Sequence, residues 1–250
     1  MISVIIPCYK GNATIRKAVM SVLNQTYQDT EIIVLDIART LDKKLLKTFD
    51  EDIPNVRVYS YDEVLDPAEG RNIGVSLANG EYVAFLDADD FWREDKLEKQ
   101  LKVMEKYSYR GVRPVMCTTG RSLVSETGRY LGRYIRCDKI ITYEKLLLGN
   151  QINCSSVLMR RSLAEKYVFP EGDFHEDYAL WLDILSHGGF AAGINLPLLR
   201  YRMRRESRSG HKLKSAVMTY RVYRYSGYSA LESMYYMIHY AFNGIKKYFF

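Results

Sequence analysis

Gly80-Glu81-Tyr82-Val83-Ala84-Phe85-Leu86-Asp87-Ala88-Asp89-Asp90-Phe91-Trp92 is the stretch on which the reading of this chain turns. Tyr82 to Leu86 is a short β-branched and aromatic run behind a glycine, the pattern of a buried strand. It ends in three carboxylates within four residues, and beyond them Asp95 to Met104 has helical spacing, with Leu97, Leu101 and Met104 on one face. Carboxylates crowded at a strand end repel one another and are costly in a core. At a site edge they make a hard-oxygen ligand set for Mg²⁺ or Mn²⁺, and ligand clefts of open α/β sheets lie at this end of the strands. Taken alone, the same residues also suit an acidic turn in which Asp90 caps the next helix and the other two face water.

The residues on either side favour the sheet-edge reading. Upstream, Ile2 to Ile6, Glu31 to Leu35 and Val56 to Tyr59 read as strands, and Ala13 to Asn24, Leu41 to Phe49 and Pro67 to Ala78 as helices, the last with proline in its first turn. Strands and helices that alternate at this length imply a parallel sheet with right-handed crossovers. Downstream, Val115 to Thr119 reads as a strand, Arg121 to Ile135 as a hairpin about Thr127-Gly128, Ser156 to Met159 as a strand, and His175 to Ser186 as a helix. Phe190 to Ile194 and Leu198 to Met203 are two late strands.

A chain of 250 residues, 47% apolar, can bury the core of one α/β domain. Cys8, Cys117, Cys137 and Cys154 are scattered, with no Cys-x-x-Cys pair, which argues for a reducing compartment and against structural zinc. Met1 leads directly into a strand, so no secretory signal is expected, and no stretch is apolar enough to span a bilayer. Charge is uneven. The net +6 hides a tail, Arg200 to Phe250, with eleven Lys/Arg against Glu206 and Glu232. The expected division is an α/β domain over residues 1–209 and a basic, aromatic-rich helical tail over 210–250. Basic and aromatic residues at helical spacing suit an anionic membrane surface, packing on the domain, or a second copy of the chain in a homo-oligomer. No nucleic-acid motif accompanies them, and nucleic acid is not expected as a partner.

Several blocks, in order and spacing, resemble family-2 glycosyltransferases of the GT-A fold, and the resemblance runs from Ile2 to about Ser209. The blocks are Ser3-Val4-Ile5-Ile6-Pro7-Cys8-Tyr9, Ser21-Val22-Leu23-Asn24-Gln25-Thr26-Tyr27, Gly70-Arg71-Asn72-Ile73-Gly74, the Asp87-Ala88-Asp89 unit, Glu176-Asp177 with Trp181, and the arginine run at Leu199 to Ser209. The resemblance implies an α/β GT-A fold, Rossmann-like, with a mostly parallel sheet flanked by helices. It implies an inverting, non-processive enzyme of the bacterial surface-polysaccharide type. Such an enzyme moves a sugar from a nucleotide-sugar, with a UDP-sugar the leading donor, to a glycan or lipid-linked acceptor. Its place would be cytoplasmic, peripheral on the inner membrane face.

Residue by residue, the family pattern implies that Pro7 and Tyr9 sit against the nucleotide base, where an aromatic face offers stacking of about 1–3 kcal/mol. Tyr9 packing over the sheet edge is the alternative. Asp87 points to the donor and Asp89 holds Mn²⁺ or Mg²⁺. Arg71 sets its fork against a base carbonyl or phosphate, or else makes a surface ion pair. Asp177 is the catalytic base that takes the acceptor proton, and Glu176 and Trp181 belong to the acceptor side. Acidic residues favour a helix first turn for dipole reasons alone, and Trp181 also suits a core. Two departures stand out. Asp36-Ile37-Ala38-Arg39 replaces the family's Asp-Asp-Gly-Ser, so Asp36 either takes over the base contact or caps a turn. Arg204 replaces a histidine; a guanidinium binds no cation but can neutralise a departing diphosphate. From another class, a catalytically weak homologue that only binds nucleotide-sugar or glycan draws on the same departures.

Overall fold

The structure, a computed structural model, describes residues 1–203 and 212–249. Its first half is the expected alternation: β1 (Ile2–Cys8), α1 (Ile15–Leu23), β2 (Thr30–Ile37), α2 (Lys43–Asp52), β3 (Val56–Tyr61), α3 (Pro67–Leu77) and β4 (Tyr82–Phe85). There follow β5 (Phe91–Trp92), α4 (Lys96–Lys106), β6 (Met116–Val124), β7 (Tyr130–Ile135), β8 (Ile140–Ile141), α5 (Tyr143–Leu147), β9 (Leu158–Arg160), α6 (Arg161–Lys166), α7 (Glu176–Ser186) and β10 (Ala191–Arg202). Two helices end the chain, α8 (Lys212–Tyr225) and α9 (Ala230–Phe249).

One sheet runs in the order β3-β2-β1-β4-β9-β6-β10-β5, with β7 on β6 and β8 on β10. β3, β2, β1 and β4 are mutually parallel, as are β6 and β10, while β9 enters antiparallel between β4 and β6. This is the α/β, mostly parallel arrangement that the alternation implied. Both faces are covered, so β1 is apolar almost throughout rather than alternating. Ile5, Ile33 and Phe85 pack under α3 and α7 on one face; Val4, Ile6 and Ala84 pack against α1 and α4 on the other.

The entry to β4 is fixed by buried polar bonds. Ser3 Oγ donates to Glu31 Oε1 (2.6 Å) and accepts from the Gly80 amide (2.8 Å), while the Asn79 amide donates to the same Glu31 oxygen. A Cβ on Gly80 would lie 2.7 Å from the Ser3 backbone nitrogen, so only glycine lets the two strands approach here.

Two expectations are corrected. The late strands are one, β10, whose register with β6 shifts around Pro197, where the missing N–H breaks the ladder without ending the strand. Asp90 does not cap α4; that N-terminal place belongs to Asp95. The tail is helical, and its first helix joins the main core: Val222 and Tyr223 of α8 are wholly buried against α7.

Candidate active site

Register decides which side chains share an edge. Parallel pairing sets Cys8 opposite Asp36 and Ile5 opposite Phe85, so the segments leaving β1, β2 and β4 emerge together at the carboxyl side of the sheet. α3 begins nearby. Asp66 caps it by accepting from the Glu69 amide (2.8 Å), with Pro67 in the first turn. One turn on, Arg71 points at the strand ends.

Arg71 is the hub. Its Nη2 donates to Asp87 Oδ1 at 2.9 Å and its Nη1 to Glu176 Oε1 at 2.8 Å, and the guanidinium side chain is 7% exposed. A buried, two-way charge pairing of this kind is excluded from a surface role; it ties the loop after β4 to the first turn of α7. The backing is equally specific. Asn72, the next residue, donates to the Phe169 carbonyl (2.9 Å) and accepts from its amide (2.8 Å). Phe169 then lies with its ring 5.4 Å from the Arg71 guanidinium.

On α7, Asp177 follows Glu176 directly. Its Oδ1 accepts from the Tyr178 amide at 2.7 Å. Burial and the neighbouring Glu176 charge push its carboxyl up to about 6, against the opposing pull of His175, Arg71 and that amide. A carboxyl titrating near neutrality, beside a fixed cation, can take a proton in the physiological range.

The turn after β4 is braced by residues that sequence reasoning missed. The Asp87 amide donates to Ser155 Oγ (3.1 Å), and Trp92 Nε1 to the Ser155 carbonyl (2.7 Å). Arg202, at the end of β10, donates its amide to Asp90 Oδ1 (2.8 Å) and its Nε to the Asp89 carbonyl (2.6 Å). Its guanidinium also reaches the Glu126 carbonyl in the β6–β7 turn. Asp90 is buried, and burial with the Asp89 and Asp87 charges holds its carboxyl well above the usual range. The signal for Arg202 was present as the arginine run, but nothing local distinguishes it from Arg204, which lies outside the described residues. Ser155 carried no sequence signal at all.

Other expected residues fall differently. Tyr9 is 46% exposed on the loop after β1, beside Pro7, with the Lys10 ammonium 5.0 Å from its ring centroid. Asp36 is wholly buried: Oδ1 accepts from the Leu41 amide (3.0 Å) and Oδ2 from Ser60 Oγ (3.3 Å). It organises its own turn, in which Ala38 and Arg39 both have positive φ, and it does not present a carboxylate to a base. Trp181 is corrected more sharply. It is wholly buried between Phe85 and Phe169, at ring distances of 6.4 and 5.7 Å, with no face open to an acceptor sugar. Glu176 is nearly buried and serves first as the partner of Arg71.

No group of three or more His, Cys, Asp and Glu side chains among the described residues forms a closed metal cage. That fits Mg²⁺ or Mn²⁺, which bind through one or two carboxylates together with substrate phosphates and water. Asp87 and Asp89 are carboxylates of the loop after β4, and one Asp87 oxygen already accepts from Arg71. A cleft of about 450 Å³ opens behind this turn, past Phe91, lined by Lys17, Tyr130 and Arg200 among others, but its lining contains no carboxylate. The buried charged groups gather at Arg71 instead.

A mostly parallel sheet thus gathers at its carboxyl edge an arginine, a carboxylate turn and a helix-borne carboxyl, an arrangement of the GT-A type. The family model described as glycosyl transferase family 2 matches residues 3–168. The chain is 33% identical to TuaG, a glycosyltransferase of Bacillus subtilis (strain 168) named for teichuronic acid biosynthesis, over 99% of this chain and 97% of that one. It is 31% identical to the Escherichia coli UDP-Glc:alpha-D-GlcNAc-diphosphoundecaprenol beta-1,3-glucosyltransferase WfgD, over 100% and 96%. Among solved structures, the mannosyltransferase PcManGT of Pyrobaculum calidifontis, in complex with GDP-Man and Mn²⁺, superposes with a TM-score of 0.71. It is 16% identical, over 94% of this chain and 69% of that one, a likeness of fold. The chain belongs to glycosyltransferase family 2.

Proposed function

We propose that this chain transfers one sugar per encounter from a nucleoside-diphosphate sugar to a hydroxyl of a lipid-linked glycan, with inversion, during assembly of a surface polysaccharide. The observation that carries the reading is the Arg71 hub. One guanidinium fixes the donor-side carboxylate Asp87 and, through Glu176, the helix turn bearing Asp177. Donor and acceptor chemistry are thereby held in one frame, which is what a displacement with a positioned base requires.

The roles follow from the environments. Asp177 receives the acceptor hydroxyl proton as the oxygen attacks the anomeric carbon. Its carboxyl, raised to about 6, is mostly ionised near pH 7 and basic enough to hold the proton. Asp89, with Asp87 beside it, would hold Mn²⁺ or Mg²⁺, which supplies positive charge to the diphosphate when bound. Pro7 and the exposed ring of Tyr9 flank the base. Arg204 would share the diphosphate charge from the arginine run. The name of the similar WfgD, with its UDP-Glc donor and diphosphoundecaprenol-linked acceptor, supports a UDP-sugar and an acceptor in a membrane. The chain would then work on the inner face of that membrane, with the 210–250 tail toward the lipid.

The test is product analysis with a panel of nucleotide-sugars and a synthetic diphospholipid-linked acceptor. The expected product has the anomeric configuration opposite to the donor. Retained configuration would refute the role of Asp177, and donor binding without turnover across the panel would make the chain a binding subunit instead.

A further inference from the structure

Helix α9 has two unlike faces, and the outer one is not that of a solvated helix. Leu231, Met234, Tyr235, Ile238 and Phe242 recur at the spacing of one helical stripe, and Leu231, Ile238 and Phe242 are 86%, 66% and 73% exposed. A contiguous apolar stripe in water marks an interaction surface. The opposite face is already occupied. Tyr236, Met237 and Tyr240 pack on the main core, Ser233 is buried, and Asn243 donates to the Leu148 carbonyl (2.8 Å).

Charge selects the occupant. Residues 212–249 carry six Lys/Arg against Glu232 alone, a net +5. Arg221 is already paired with Asp173; the other basic residues of the two tail helices would repel those of a second copy, whereas a sheet of anionic headgroups would be attracted. Among the described residues no helix is long and apolar enough to cross a membrane, so α9 can lie on a bilayer but not span it.

We infer that α9 lies in the plane of an anionic bilayer, with Leu231, Met234, Ile238 and Phe242 at the boundary between headgroups and acyl chains. This deepens the reading of a lipid-linked acceptor and rests on it. The inward face of α9 fixes the orientation. Tyr240 stacks on Tyr178 (5.9 Å), the residue after Asp177, and Tyr228 joins Tyr236 (4.9 Å) and Tyr143, its hydroxyl 2.6 Å from that of Tyr143. The lipid plane and the candidate base are therefore tied to one set of rings.

The experiment uses the full chain and phosphatidylcholine vesicles with and without phosphatidylglycerol. The intact chain should co-sediment with the anionic vesicles and weaken with salt. Ile238→Glu, at an exposed position outside the catalytic machinery, should melt like the parent and bind at least about tenfold more weakly. A second readout is direct. Trp92 and Trp181 are buried, so in Phe242→Trp the introduced indole should shift to the blue and become shielded from aqueous iodide only when anionic vesicles are present. Equal binding of Ile238→Glu and parent, or an indole quenched alike with and without vesicles, overturns the inference. So does a change of oligomeric state in Ile238→Glu with vesicle binding intact, which would make the stripe a seam between copies. Transfer to a water-soluble acceptor should survive Ile238→Glu while transfer to a vesicle-borne one falls. If vesicle binding behaves as expected but neither acceptor is glycosylated, the proposed function fails and the docking face stands.

Discussion

Replacing Asp177 with asparagine keeps the side chain's shape and its bond from the Tyr178 amide, and removes only the charge and the ability to take a proton. Two opposite effects should follow. Transfer should fall by about 10²–10⁴, the usual contribution of a positioned base, with donor affinity nearly constant. Stability should rise, because raising the carboxyl from its ordinary 3.8 to about 6 corresponds to a penalty of up to about 3 kcal/mol on its ionised form. The pH dependence fixes the sign. Below the ordinary carboxyl value the group is neutral in folded and unfolded chain alike, and parent and variant should be equally stable. As pH rises through about 6, the parent must ionise the group against its surroundings and loses stability that the asparagine variant keeps. Urea unfolding near pH 4.5 and pH 8 should therefore show a gap that opens with pH, by roughly 1–3 kcal/mol. In the parent, the transfer rate should drop about tenfold between roughly pH 7 and pH 5. A variant that transfers at the parental rate refutes the assignment, and a stability gap that is the same at both pH values refutes the electrostatic account of the raised carboxyl.

Three further outcomes are expected. Arg71→Met removes the buried cation shared by Asp87 and Glu176 and should destabilise by about 3–5 kcal/mol; denaturation curves like those of the parent at neutral pH would remove the hub from the account. Asp89→Ala should abolish the Mn²⁺ or Mg²⁺ dependence of nucleoside diphosphate binding by calorimetry while the fold survives, and an unchanged dependence would place the metal ligand elsewhere. Trp181→Phe should leave the acceptor KM within about twofold, since the indole touches only core, and cost less than about 2 kcal/mol; a large rise in KM would restore Trp181 to the acceptor side.

The sheet was legible because its first four strands are short apolar runs that end abruptly at polar residues, and their burial on both faces leaves no ambiguity of period. Arg71, Asp87 and Asp177 could be singled out only through the resemblance of their blocks to the family: taken alone, Arg71 suited a surface ion pair, Asp87 an acidic turn and Asp177 a helix-start carboxylate. The burial of Trp181 was not legible. On α7 a tryptophan one turn beyond the acidic pair faces the core or the site according to the helix rotation, and that rotation is set by Phe85 and Phe169 from distant parts of the chain. For Asp36 the sequence left a base contact and a turn open, and the choice of the turn depends on Ser60 of the neighbouring strand and the Leu41 amide. β9 pairs with β4 from more than seventy residues further along the chain, and no local pattern reports such a pairing.

The burial of Tyr223 bears on how these enzymes could be recombined. Its hydroxyl donates to the Leu147 carbonyl at 2.7 Å and meets that of Tyr178 at 3.1 Å, so α8 is a plug whose loss would open the floor of the helix that carries Asp177. A shortened chain ending at Ser209 would forfeit that plug along with the basic charge, and its behaviour would report on both at once. The natural seam for domain exchange is the bend between α8 and α9, near exposed Gly227, whose φ of +88° already breaks the helix. Chimeras joined there would exchange the exposed stripe of α9 together with its inward rings Tyr236 and Tyr240, so the incoming helix would have to refill the seat beside Tyr178 for the recipient's own site to stay in place.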